Sequence, residues 1–292
     1  MKTKNVELIH SPAGPHYVGD GFRVHNFIPS LYHLEMQRMN PFILLDYGSK
    51  FYFSPSEKQR GVGVHPHRGF ETVTIAYKGK VAHHDSAGNS GVIGEGDVQW
   101  MTAASGILHK EYHEKEFSEK GGEMQMVQLW VNLPAQFKMS QPKYQSITNA
   151  QINKVKLDNE AGIVEVIAGE FKNVKGTAST FSTINLLNAK LNKKAKAEFS
   201  FPANYNTALL VIDGNITINN IEKVAADHFV LFKNDGENFS IQANEYSIVL
   251  IMSGENINEP IVAHGPFVMN TREEILQAFD DFNNGKFGYL KD

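Results

Sequence analysis

His65-Pro66-His67-Arg68-Gly69-Phe70-Glu71-Thr72-Val73 and, further on, Gly106-Ile107-Leu108-His109-Lys110-Glu111 are the two strings on which the reading of this chain turns. Each carries two metal-ligand residue types at i, i+2 spacing inside strand-like sequence. Side chains alternate between the faces of a strand, so residues two apart point the same way, about 7 Å apart. His65 and His67 therefore share one face, and His109 and Glu111 share another. If the two strands meet across a small barrel, three imidazoles and a carboxylate converge. Such nitrogen and oxygen donors suit Fe(II), Ni(II), Cu(II), Mn(II) or Zn(II). Glu71 also lies an even number of residues from His67, so spacing alone leaves it a rival carboxylate. Without a metal, the cluster would bury costly polar groups.

Around these strings the text is β. Pro41-Phe42-Ile43-Leu44-Leu45-Asp46-Tyr47 predicts a buried strand, and Thr72 to Tyr77 is rich in β-branched and aromatic residues. Lys78-Gly79-Lys80 turns that strand into Val81-Ala82-His83-His84-Asp85, and Gly94-Glu95-Gly96-Asp97 leads into Val98-Gln99-Trp100-Met101-Thr102. Val127 to Leu133 alternates as a half-buried strand. Short strands punctuated every eight to twelve residues predict a sandwich or jelly-roll barrel. The pattern repeats from Gly162, with Asp213-Gly214 equivalent to the Lys78-Gly79 turn. At matching offsets the second half carries Ser200 and Pro202 in place of the two histidines. The division expected is 1–134 for a metal-binding domain and 135–292 for a metal-free one. The chain ends in a helix opened by the capping box Thr271-Arg272-Glu273-Glu274, with Ile275, Ala278, Phe279 and Phe282 on one stripe. That stripe is expected to do simple packing.

Composition narrows the function classes. At 292 residues the chain can bury a large core without staples. It has no cysteine, which excludes disulfides, thiolate metal sites and cysteine nucleophiles. No apolar run approaches membrane-spanning length, and no signal peptide is visible after Met1. Net charge is −4 with lysines scattered, which argues against direct nucleic-acid binding. The expected setting is the cytoplasm. Ten of the twelve histidines lie before residue 114, so metal chemistry belongs to that half. His10, His16, His25, His33, His83, His84 and His113 are expected at the surface or in ordinary hydrogen bonds, and at most one of His83 and His84 can look inward.

The two strings, together with Asn40-Pro41-Phe42, Leu44-Leu45-Asp46, Gln128-Leu129-Trp130-Val131-Asn132-Leu133 and His264-Gly265-Pro266-Phe267-Val268-Met269-Asn270-Thr271, resemble the pirin family, a branch of the cupins. The general cupin pattern has a proline where this chain has Ala104, and a gap from Gly96 to the last histidine that is two residues shorter. Pirin-like chains share both departures. The resemblance implies an all-β bicupin, two jelly-roll barrels in tandem with one metal and a short C-terminal helix that packs back on the first barrel through Phe267, Phe279 and Phe282. It assigns the metal to His65, His67, His109 and Glu111 and leaves Glu71 as a hydrogen-bonding neighbour. Fe(II) is the expected ion, with Ni, Cu, Mn or Zn as alternatives.

It also implies chemistry. Some pirin-like proteins cleave quercetin-type flavonols with O2. On that pattern Glu111 is both ligand and general base. Phe42, Trp100 and Met101 are candidates either to line a site for a flat aromatic ring or to fill the core. The expected partners are a small aromatic substrate and O2, on a monomer. The rival implication is a metal- or redox-sensing regulator that binds a protein partner.

Overall fold

The computed structural model describes residues 2–29 and 35–291, and His33 lies outside them. The chain forms two compact units, each an all-β barrel. One comprises Gly14–Gln37, Phe42–Asn149 and Ile257–Asp292, and the other Met1–Ala13, Arg38–Pro41 and Ala150–Asn256. The division is thus not a single cut at 134/135. Val6–His10 pairs with Phe229–Phe232 and so belongs with the later residues. Lys143–Ile147, read as linker, adds a strand beside Val98–Thr102.

In the second of these units a seven-stranded sheet runs in the order Val6–His10, Phe229–Phe232, Asn206–Asp213, Ser247–Gly254, Ile184–Leu191, Gly162–Ala168, Asn153–Lys156. A four-stranded sheet, Lys196–Ser200, Asn238–Ala243, Asn215–Ile218 and Glu222–Ala225, completes the barrel. Its interior is apolar, with Leu187, Phe199, Leu209, Ile218, Phe239 and Ile251 in one cluster. Alternate residues of each strand supply this core, as the period of two requires.

The unit that carries the histidine strings has the same plan. Its seven-stranded sheet runs Lys143–Ile147, Val98–Thr102, Phe70–Lys78, Gly122–Asn132, Phe42–Phe53, Phe22–Ile28, His16–Val18. Its four-stranded sheet runs Gly61–His67, Ile107–His113, Val81–Asp85, Ser90–Ile93. The two ligand strings are therefore neighbours in one sheet, where the sequence suggested strands facing across the barrel. His109 pairs directly with His65, and Ile107 with His67. A bulge between His109 and Glu111 brings Val62 opposite Glu111.

The turn after His67 is held by backbone sterics and two buried basic side chains. Gly69 sits at φ +91°, and a Cβ there would lie 1.9 Å from Val268 O, so only glycine fits. Lys138, 1% exposed, donates to Gly69 O (2.7 Å), Asn132 Oδ1 (2.7 Å) and Val268 O (2.9 Å). Arg68 donates through Nε to Ser105 O at 2.7 Å, pairs with Asp281 at 2.9 Å and lies over the Phe287 ring. Asp281 sits on the C-terminal helix Arg272–Asn283, which begins with the expected capping box at Thr271 and Glu274. Phe267, Met269, Ile275, Ala278 and Phe287 form a cluster with Phe279 packed on it. Phe282 is 37% exposed and only edges Phe287, because buried Asp281 takes the inward position next to it.

Candidate metal centre

The four-stranded sheet places several ligand-type side chains on one face. One nitrogen from each of His65, His67 and His109 lies within 4.8 Å of the others. The rings are close, at 4.2 Å between the His65 and His109 centroids and 4.8 Å from His67 to each. His65 Nδ1 is 2.8 Å from Gly63 O, and His67 Nδ1 is 3.4 Å from Pro266 O. Each carbonyl favours the Nδ1–H tautomer and leaves Nε2 with a free lone pair. Burial holds His67 well below the ordinary histidine value, with His65 adding to it. Burial does the same to His109, with His65, His67 and His83 around it. The two imidazoles are thus neutral and able to donate lone pairs.

His109 tests whether a metal fits. It is fully buried, and neither Nδ1 nor Nε2 has a hydrogen-bond partner. An unpartnered buried polar atom costs ~1–3 kcal/mol, and here one ring has two of them beside two other imidazoles. A divalent first-row cation accepts donors of this kind, so the residues present fit the group.

Glu111 is held from the facing sheet. Gln99 Nε2 donates to Oε1 at 2.9 Å and Gln128 Nε2 to Oε2 at 2.7 Å. The Thr74 hydroxyl lies 3.1 Å from Glu111 Oε1 and 2.8 Å from Gln128 Oε1, sharing one proton between them. A Glu111 oxygen forms a second close group with His83 and His109, also within 4.8 Å. The expected four residues are therefore brought together as three histidines plus a carboxylate that adjoins them through His109. Among the described residues, both close groups lie in this unit.

His83, expected at the surface, is fully buried. It lies directly opposite Glu111 in the sheet, with Nε2 3.3 Å from Asp85 Oδ2 and Nδ1 3.3 Å from Gln99 Nε2. Tyr144 stacks on it at 4.9 Å and donates to Gln99 Oε1 at 3.2 Å, and burial pushes the Tyr144 phenol up to about 12, helped by the charges of Glu111 and Asp85. His84 takes the other face, against the Tyr112 hydroxyl. His113 is also buried, bonded to Gly21 O at 2.7 Å and ringed by Phe22, Phe53 and Phe117.

Glu71 does not brace the ligands. The strand of His65 ends at His67, and the turn at Arg68-Gly69 resets the alternation. On the next strand Thr74 faces Glu111, so Phe70 and Thr72 share that face and Glu71 takes the other. There it accepts from Thr102 Oγ1 at 2.7 Å, and burial raises its carboxyl to about 7 against that bond, the Trp100 indole and the Lys143 charge.

A cavity of about 320 Å³ opens on the group. His65, His67, Glu111 and Gln128 line it, with an apolar wall of Phe22, Val24, Val62, Met126 and Trp130. Phe42, Trp100 and Met101, expected as its lining, are fully buried away from it in the core. Trp130 takes that place, stacked on Phe70 at 4.1 Å and edge-on to His67 at 5.1 Å. Asp46 also faces the cavity, and burial raises its pKa against the hydrogen bond from Asn26 at 2.6 Å.

Comparison with known proteins agrees with this architecture. The pirin family model matches residues 21–131, and the model of the pirin C-terminal cupin domain matches 186–288. A Pseudomonas aeruginosa relative named "Putative quercetin 2,3-dioxygenase" is 45% identical over 97% of this chain and 98% of its own length. Human pirin is 35% identical over 87% of this chain and 85% of its own. A crystal structure of quercetin 2,3-dioxygenase from Acinetobacter baumannii superposes with a TM-score of 0.93 at 45% identity, covering 99% of this chain and 100% of that one. With both barrels matched and relatives aligned over nearly its whole length, the chain belongs to the pirin family of bicupins.

Proposed function

We propose that this protein is a metal-dependent dioxygenase that opens quercetin-type flavonols with O2. The observation that carries the reading is His109, whose two ring nitrogens are buried and unpartnered beside His65 and His67, which themselves line a largely apolar cavity. His65, His67 and His109 would hold one divalent cation, Fe(II) in the first instance, with Glu111 as the carboxylate of the set. When bound, the cation supplies a Lewis-acidic anchor for adjacent substrate oxygens and a route for electrons to O2. The names of the Pseudomonas and Acinetobacter proteins support the substrate class.

The chain's own residues then have defined tasks. Phe22, Val24, Met126 and Trp130 suit a flat aromatic ring and exclude water from it. Glu111 accepts the proton of the flavonol hydroxyl at a carboxylate oxygen that faces the cavity. Gln99 and Gln128 fix the orientation of that carboxylate, so the base is in place before substrate arrives. Asp46 and Gln128 are the polar groups available to other substrate hydroxyls.

The test is quercetin in air with metal-loaded protein. The expected result is loss of the flavonol absorbance, abolished by His109→Ala. Glu111→Gln should lower kcat by ~10²–10⁴-fold. Metal-replete protein that turns over none of several flavonols would overturn the enzyme reading and favour a regulator that binds a protein partner.

A further inference from the structure

We propose that His83, His109 and Glu111 form a second seat for a first-row divalent cation, an alternative to the His65–His67–His109 seat that shares His109 and the Glu111 carboxylate with it. One donor atom from each residue lies within 4.8 Å of the others, and all three side chains are buried. The register explains why: His83 is paired with Glu111, and Asp85 with His109, on the same sheet face.

The surroundings of His83 are those of a metal-binding histidine. Its Nε2 faces Asp85 Oδ2 at 3.3 Å, the carboxylate–histidine arrangement that fixes a tautomer and leaves the other nitrogen for a cation. Asp85 is itself fixed by the Ala87 and Asn89 backbone N–H groups at 3.0 and 2.9 Å and by Asn89 Nδ2 at 3.0 Å. The remaining nitrogen, Nδ1, has only the Gln99 amide at 3.3 Å, and that amide makes a shorter bond to Glu111 at 2.9 Å. Little is lost when Nδ1 turns to a cation. Two imidazoles and a carboxylate are a donor set for Fe(II), Mn(II), Co(II) or Zn(II).

The two seats exclude each other. A neutral imidazole has one lone pair in the ring plane, so His109 serves one ion at a time. The first seat includes His65 and His67, which line the cavity. The second is built on His83, fully buried under the Tyr144 ring. The inference rests on the metal reading of His109 given above, and the experiment separates the two.

Co(II) titration of the full-length protein, read by absorption and by metal content after dialysis, tests it. Wild type should bind one ion. The His65→Ala/His67→Ala variant should still bind one ion, more weakly. Adding His83→Gln to that variant should abolish binding, and adding Asp85→Asn should weaken it ~10–100-fold. If the double variant folds, by circular dichroism and cooperative melting, yet binds none while wild type binds one, the second seat is refuted and the first stands. Retention of the ion after His83→Gln is added refutes it too, and an empty wild type refutes both seats. Should the double variant not fold, His65→Gln replaces it. There His83→Gln must weaken Co(II) binding roughly tenfold more than it does in wild type, and an equal effect in the two backgrounds overturns the inference.

Discussion

Lys138 makes the stability of this protein depend on alkaline pH in a calculable way. The ammonium is 1% exposed and bonded to two backbone carbonyls and the Asn132 side chain, with no carboxylate among those partners. Burial lowers its pKa from 10.5 to about 7, against the more distant charges of Glu259 and Glu274. Between those values the unfolded chain holds a proton that the native chain has released. The unfolded state binds more protons, so stability must rise with pH there. The slope approaches about 1.4 kcal/mol per pH unit, and over 10.5 − 7, or about 3.5 pH units, the gain is roughly 5 kcal/mol. Lys138→Met cannot titrate. Urea unfolding of wild type and Lys138→Met at pH 7, 8, 9 and 10 should give a difference that moves in favour of wild type by about 1.4 kcal/mol per pH unit. The offset between the two proteins does not matter, only the slope. A difference flat with pH would show that the lysine keeps its ordinary pKa and that its three oxygen partners suffice to hold the charge.

Glu71 gives the opposite dependence. Its carboxyl is raised from 4.5 to about 7, so the native state keeps the proton longer and stability falls as pH rises across that window, by roughly 3 kcal/mol. Unfolding of Glu71→Gln should lack that fall. Arg68→Met removes the guanidinium from Asp281, which keeps Lys286 at 2.7 Å and Gln277 at 2.9 Å, and should cost about 2 kcal/mol, the worth of a hydrogen bond to a charged group, in denaturant unfolding; no measurable loss would mean the helix is not held by this pair. Trp130→Ala removes the ring stacked on Phe70 and should raise the flavonol KM by about tenfold, the equivalent of ~1.4 kcal/mol, in steady-state assays.

Much of the architecture was legible because strand alternation is a local signal. The i, i+2 spacing of His65 with His67 and of His109 with Glu111 needs only continuous strands, and both are continuous there. The same rule misplaced Glu71, because it was counted across the Arg68-Gly69 turn, where parity is lost. His83 and His113 read as surface residues because their partners, Asp85 with Glu111 in one case and Gly21 with three phenylalanines in the other, come from register and packing. The lining of the cavity was missed for a similar reason. Phe42, Trp100 and Met101 are apolar and near the motifs, yet which apolar residues face a cavity and which fill the core depends on the facing sheet. Trp130 carried a usable signal: it alternates with Gln128, and both look toward Glu111's side of the barrel. The strand Val6–His10 pairs with a partner more than two hundred residues away, a contact no local pattern encodes.

The central claim is that His109 sits at the meeting point of the cation's ligands. Its most direct test is the metal content of wild type and His109→Ala, each reconstituted with Fe(II) under anaerobic conditions and freed of excess ion. One ion per chain in wild type and none in a folded His109→Ala is the predicted outcome. A variant that keeps its ion at wild-type affinity would contradict it, since the buried nitrogens of that ring would then serve no metal at all.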